Sequence, residues 1–173
     1  MLALDDYALP FVGGIIERRH EGKLQVLVQT RIVPPQYKSI YHGTLEFTTG
    51  RLDKLYENVY DALAREIYEE TGQKLKRIIN DSQTEIVSPQ KIDGAFGFRP
   101  FCCLQQLKDG RPWVGFIFRC EVEDSTLVDQ PSETKDAHWH DAADIKNMVA
   151  NSPEKLFTLD ISAWQYYFNE VEV

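Results

Sequence analysis

The stretch Gly50-Arg-Leu-Asp-Lys-Leu-Tyr-Glu57-Asn-Val-Tyr-Asp-Ala-Leu-Ala-Arg65-Glu66-Ile-Tyr-Glu69-Glu70-Thr-Gly72 decides how the rest of the chain is read. Val59, Tyr60, Leu63 and Ile67 recur at helical spacing, which predicts a helix over about residues 57–71 with Gly72 as its stop. Glu66, Glu69 and Glu70 stand at i, i+3 and i+4 and share an arc of roughly 100° on that helix. Three like charges on one arc repel, each close pair costing roughly 0.2–0.5 kcal/mol. They also fall in the last turn, where the helix dipole disfavours anions. Helix physics alone gives no reason to gather them there. Solvation on an outer face is one account. A bound divalent cation is the other, because Mg²⁺ takes oxygen ligands from a few carboxylates, waters and phosphates.

Before this helix, Phe11–Ile16 and the alternating run Lys23–Arg31 flank a polar segment ending at Gly22, which reads as a hairpin. The tandem prolines Pro34-Pro35 mark a loop, and Tyr41–Phe47 reads as a short extended stretch. After the helix, strands are expected near Gly97–Leu107 and Pro112–Val122, around the turn signal Asp109-Gly110. A polar loop is expected over Thr126–Asp136, and His138-Trp139-His140 reads as a short strand. Asp141 is a candidate cap for a helix to about Val149. Ser152-Pro153-Glu154 opens a turn. A last helix from Asp160 to about Asn169 is expected to bury Ile161, Trp164 and Phe168. Strands and helices mix without strict alternation. That excludes a regular βαβ wind and predicts an α+β arrangement, a mixed sheet flanked by helices.

Composition bounds the rest. The 173 residues carry a net charge of −8, with 43% hydrophobic and 27% charged residues, as expected of one soluble globular domain. No apolar run reaches the roughly 18–20 residues of a membrane span. Acid excess argues against stable nucleic-acid binding, which needs Lys and Arg on the phosphates. An anionic substrate would need a cation between it and such a chain. Cys102, Cys103 and Cys120 form no CxxC pair and read as reduced structural thiols. Met1–Tyr7 carries two acids where an export signal would be basic, so a cytoplasmic chain is expected. His138 and His140 share a strand face, as zinc ligands can, but Trp139 stands between them and no Cys partner is evident. No dinucleotide fingerprint, phosphate-binding P-loop or serine elbow is found.

The quoted stretch resembles the Nudix box, the signature of the Nudix hydrolases. Glu57, seven residues, then Arg65-Glu66-Ile67-Tyr68-Glu69-Glu70-Thr71-Gly72 match it at every fixed position. Two positions depart: the family's first glycine falls on Arg51, with Gly50 one place earlier, and the closing aliphatic is Gln73. The likeness covers roughly residues 10–150 and implies a Nudix-like α/β/α sandwich. Residues 1–173 would form one domain, with 1–10 as a lead-in and 151–173 as a helical tail.

By position, the resemblance implies that Glu66, Glu69 and Glu70 hold Mg²⁺ or Mn²⁺, with the Gly50 carbonyl in the glycine's part. Glu57 and Arg65 would brace the helix from behind the ligands. One glutamate would take a proton from the attacking water, in the order Glu69, Glu66 and then Glu133, the last lying six residues before Trp139. The activity implied is hydrolysis of the diphosphate in a nucleoside diphosphate linked to another moiety. The alternative is a catalytically silent module of the same fold that binds a nucleotide or nucleotide sugar. Arg31, Arg51 and Arg99 are candidates to clamp phosphates, and Tyr37, Tyr41, Phe96 and Phe98 to stack on a base. Many members of the family are homodimers, which extends here as an expectation.

Overall fold

The computed structural model describes residues 8–37, 39–108, 112–123, 125–128 and 134–173. A long first strand, β1 (Leu9–His20), organises the molecule. Its second half pairs antiparallel with β2 (Lys23–Arg31), completing the expected hairpin. Its first half pairs antiparallel with β4 (Thr48–Arg51), which follows the two-residue β3 (Leu45–Glu46). Along its other edge β1 runs parallel to β7 (Trp113–Val122). β5 (Leu75–Ile78) and β6 (Cys102–Gln105) pair antiparallel with β7, while β3 and β8 (Thr134–Asp141) pair with β2. The result is the mixed sheet that the sequence predicts.

Period-two alternation sends side chains to two cores. Phe11 and Ile15 of β1, Val26 and Val28 of β2 and Ile117 of β7 face one core. There they meet α2 (Ala142–Asn151) and α3 (Thr158–Glu170) through Ile145, Trp164 and Tyr167. Val12, Ile16, Leu27, Phe118 and Cys120 face the other, against Val59, Ala62, Leu63 and Ile67 of α1 (Val59–Thr71). Helices on both faces make the α/β/α sandwich.

One close approach depends on a missing side chain. Gly115 is in register with Phe11, and a Cβ there would lie 2.1 Å from Phe11 Cζ. We expect Gly115→Ala to destabilise the fold by about 1–3 kcal/mol through overpacking, read as a lower urea midpoint at unchanged slope.

Several boundaries differ from the sequence reading. α1 starts at Val59, because Asn58 caps it: its Oδ1 accepts from the Tyr60 and Asp61 N–H groups at 2.9 Å. Gly72 ends it in the left-handed region at φ 70°. The stretch 41–47 turns first and becomes strand only at Leu45–Glu46. Of Gly97–Leu107, only Cys102–Gln105 is strand. Pro100 has no N–H for a ladder, and Gly97 and Arg99 instead serve local pairings with Thr84 and Ser82. β5 was not anticipated, being four residues long with two exposed. β8 reaches back to Thr134, beyond the expected 138–140.

The last helix buries Asp160, Ala163, Trp164 and Tyr167, a face rotated from the expected one. Ile161 and Phe168 sit partly buried at its edge. This tail is stitched to the sheet. Phe157 N–H donates to Leu45 O at 2.8 Å, and Phe47 N–H to Asp160 Oδ2 at 3.0 Å. Among the described residues no helix is long and apolar enough to cross a membrane.

Candidate active site

The last turns of α1 and the strand β4 form one wall of a cleft of about 860 Å³. Gly50, Arg51, Arg65, Glu66, Glu69 and Glu70 line that wall. Arg31 at the end of β2, Glu46 of β3, Tyr37, Phe157 and Asp160 also line the cleft. The helical spacing thus brings the three box carboxylates to one place.

Each is held differently. Glu70 is buried, and its Oε2 accepts from the Gln29 amide at 2.6 Å. Glu66 rests its carboxyl against the backbone of Gly50: a Cβ at that position would lie 1.7 Å from Glu66 Cδ. Glu69 is the exposed member, its side chain 49% accessible. Arg65 stands among them. Its Nη1 donates to Glu66 Oε1 at 2.5 Å and to Glu69 Oε2 at 3.3 Å.

Behind this set, Arg65 grips Glu57 with two parallel bonds of 2.9 Å, from Nε to Oε1 and from Nη2 to Oε2. Nη2 also reaches Arg51 O at 3.3 Å, tying β4 to the helix. The resemblance implies a bracing role for this ion pair. The Arg65 guanidinium holds the Glu57 carboxyl below the usual glutamate range. Glu57 in turn raises Arg65 further above its ordinary value. A carboxyl lowered in the folded state contributes stability above its unfolded pKa and loses it as pH falls through the folded one. We expect Glu57→Gln to cost about 1–2 kcal/mol at neutral pH. The gap to the parent should close below about pH 4, measured by thermal melts across pH.

The donors suit a hard cation: three carboxylates and a backbone carbonyl, all oxygen, fit Mg²⁺ or Mn²⁺ better than a thiophilic metal. Among the described residues no three such groups already converge on one point. Arg65 holds Glu66 and Glu69 apart from Glu70, which Gln29 engages. The Gly50 cradle supports the fit, since it leaves Glu66 beside the Gly50 backbone where any other residue would displace it.

The remaining candidates divide. Arg31 lines the cleft, with Nη1 on Glu46 Oε2 at 2.7 Å and Cζ 4.3 Å from the Phe157 ring centroid. Arg51 lines it with Cζ 5.6 Å from the Trp113 ring. Tyr37 lines it too, while Tyr41 packs edge-on against Phe157 at 5.2 Å. Phe96 and Arg99 do not line this cleft. Phe96 packs on Tyr60 and Phe98 at 6.1 and 5.7 Å. Arg99 borders a separate hollow of about 260 Å³ with Asn80, Arg119 and Glu170. Glu133 lies outside the described residues, as does the Asp109-Gly110 turn. His138 and His140 rings sit 4.1 Å apart. Gln29, Glu46 and Asp160 belong to the site's surroundings but carry no sequence signal, because strand pairing and the distant tail bring them there.

The motif's departures have structural counterparts. Gln73 replaces the aliphatic yet is buried, because its amide donates to Ser125 O at 3.0 Å and Thr126 O at 3.2 Å. Gly50, one place early, still meets Glu66.

Comparison with known proteins gives the same picture. No curated protein matches the chain. Among solved structures, the NUDIX domain of Shewanella oneidensis NrtR, complexed with ADP ribose, is 16% identical. It covers 96% of this chain and 90% of its own, with a TM-score of 0.65. A MutT protein from Methanosarcina mazei Go1 is also 16% identical over 94% of each chain, at 0.61. A C. elegans Ap4A hydrolase is 14% identical over 95% of this chain and 100% of its own, at 0.57. At these identities the likeness is one of fold. The family model for the NUDIX domain matches residues 10–159, most of the chain. With the matching box and the sandwich around it, this chain belongs to the NUDIX family.

Proposed function

We propose that the chain is a metal-dependent pyrophosphohydrolase acting on a nucleoside diphosphate linked to another moiety. The observation that carries this is the wall formed by Glu66, Glu69 and Glu70, with Glu66 seated on Gly50 and Arg65 fixed by Glu57. Glu66, Glu69, Glu70 and the Gly50 carbonyl would hold a divalent cation, which when bound would supply positive charge against the phosphates and lower the pKa of a bound water.

The residues divide the rest of the work. Glu69, the most exposed of the three, takes the water proton on a carboxylate oxygen, with Glu66 and Glu133 as the next candidates. The water oxygen bonds to phosphorus, the bridging P–O bond breaks, and the leaving phosphate carries its electron pair away. Arg51 and Arg31, which both line the cleft, offer guanidinium groups to the phosphates. Arg65 holds its neighbours in place through Glu57. A cleft of about 860 Å³ is large enough for a nucleotide-type small molecule. Neighbours named for ADP ribose and Ap4A support that substrate class.

The test is a panel of dinucleoside polyphosphates, nucleotide sugars, dinucleotide cofactors and nucleoside triphosphates with Mg²⁺ or Mn²⁺, read by product release. Turnover abolished by chelation supports the proposal. Tight ligand binding without turnover on any member would favour the silent binding module instead.

A further inference from the structure

One polar side chain beside the box glutamates stands where the strand pattern calls for an aliphatic. Side chains alternate along a strand, so Leu27 and Gln29 of β2 share a face, and Leu27 packs in the core against α1. Gln29 follows it and is only 1% exposed. Its Nε2 donates to Glu70 Oε2 at 2.6 Å. Its Oε1 is buried with no hydrogen-bond partner among the described residues. An unmet buried acceptor is costly, and an apolar side chain of similar size would avoid the cost. What glutamine adds over such a side chain is its donor to Glu70.

The backbone beside Gln29 is irregular. Val28 is in register with His138 and Thr30 with Lys135, so Gln29 alone stands opposite both Asp136 and Ala137 of β8. That is a β-bulge, with Asp136 in the left-handed region at φ 54°. Bulges re-aim side chains beside active sites. On its other side Gln29 is in register with Glu46 of β3, which lines the cleft.

The chemistry of the donor suits a metal ligand. Glu66 and Glu69 take hydrogen bonds from the Arg65 guanidinium, a cation that competes with a metal for the same oxygens. Gln29 gives Glu70 a neutral donor, which meets a buried oxygen and adds no positive charge. Glu70 is 5% exposed, whereas the Glu69 side chain is 49% accessible. We propose that Gln29 is a positioning residue that makes Glu70 the fixed ligand of the metal site. The inference rests on reading the box glutamates as metal ligands.

The test is Mn²⁺ binding to the full chain without substrate, followed by the EPR signal of the free ion, with Mg²⁺ and Ca²⁺ as competitors. Gln29→Met keeps the length of the side chain and removes the donor. Gln29→Asn keeps the amide and withdraws it by one methylene, so it carries the test if thermal melts show Gln29→Met unfolded. Each variant should weaken Mn²⁺ and Mg²⁺ binding by about 10–100-fold. Ca²⁺ should lose about threefold or less, because it accepts flexible ligand geometry where Mg²⁺ demands a near-ideal octahedron. A purely structural glutamine would move all three ions together. In a Glu70→Ala background, Gln29→Met should change Mn²⁺ binding by less than about twofold, since Gln29 acts through Glu70.

Unchanged Mn²⁺ and Mg²⁺ affinity in the Gln29 variants overturns the proposal. So does an equal loss for all three ions, or a loss that persists in the Glu70→Ala background. If Glu70→Ala alone left Mn²⁺ binding unchanged, the ligand assignment and this inference would fall together. The expected ion effects alongside a silent substrate panel would sink the hydrolase reading and leave the role of Gln29 standing. Metal-dependent turnover in a chain whose Gln29 variants bind metal like the parent would do the reverse.

Discussion

If the proposed hydrolysis holds, a Glu69→Gln, Glu70→Gln double variant is expected to lose metal-dependent turnover by about 10²–10⁴-fold while keeping its fold. Both substitutions preserve shape and remove charge. Glu69 is largely exposed and meets Arg65 at a long 3.3 Å, so its ion pair contributes little to stability. Glu70 is buried against Gln29, and a glutamine there can still offer its amide oxygen to the Gln29 donor. Removing two anions from the last turn of α1 also relieves like-charge repulsion and the unfavourable dipole. The melting temperature should therefore stay level or rise as activity falls. That opposition separates a functional role for the carboxylates from a structural one. A double variant that retained full product release at saturating Mg²⁺ would sink the proposed function.

The reason α1 could be read from sequence also explains what could not be. Its period, its Asn58 cap and its Gly72 stop are local and lie within a few residues of one another. The hairpin of β1 and β2 is similarly local. The parallel pairing of β1 with β7 joins residues about a hundred positions apart, and no local pattern announces it. The site divides the same way. Glu57, Arg65, Glu66, Glu69 and Glu70 were legible because one helix and its approach carry them all. Asp160 was visible only as the start of a last helix, and its place beside Phe47 depends on how the tail docks on β3. Phe96 and Arg99 look like cleft residues in a glycine-rich, loop-like run. Their segment instead folds back through Gln83 and Val87, and Phe96 joins the aromatic group over α1. Gln73 looked like a flaw in the motif. Buried polar groups are tolerated where their bonds are met, and Ser125 and Thr126 meet them.

Gly50→Ala is expected to damage the site more than the fold. Gly50 is in register with Val12, and its backbone lies outside the left-handed region, so alanine suits the strand. The obstruction is a side chain. An added Cβ would lie 1.7 Å from Glu66 Cδ, 2.1 Å from Cγ and 2.2 Å from Oε1. Glu66 ends a flexible chain bordering an open cleft, so it can swing away at modest cost to stability, about 1–3 kcal/mol. Once it swings, the carboxylate leaves the Gly50 backbone beside which it sits, and its 2.5 Å contact with Arg65 goes with it. Displacing one ligand from its support should weaken Mg²⁺ affinity by about 10–100-fold, read as a higher Mg²⁺ concentration for half-maximal rate. A compensating change makes the argument specific. Glu66→Asp shortens the side chain by one methylene, and added to Gly50→Ala it should recover part of the lost affinity, although Glu66→Asp alone weakens the parent site. If the double variant bound Mg²⁺ no better than Gly50→Ala, the loss would arise from the strand and not from the seat of Glu66.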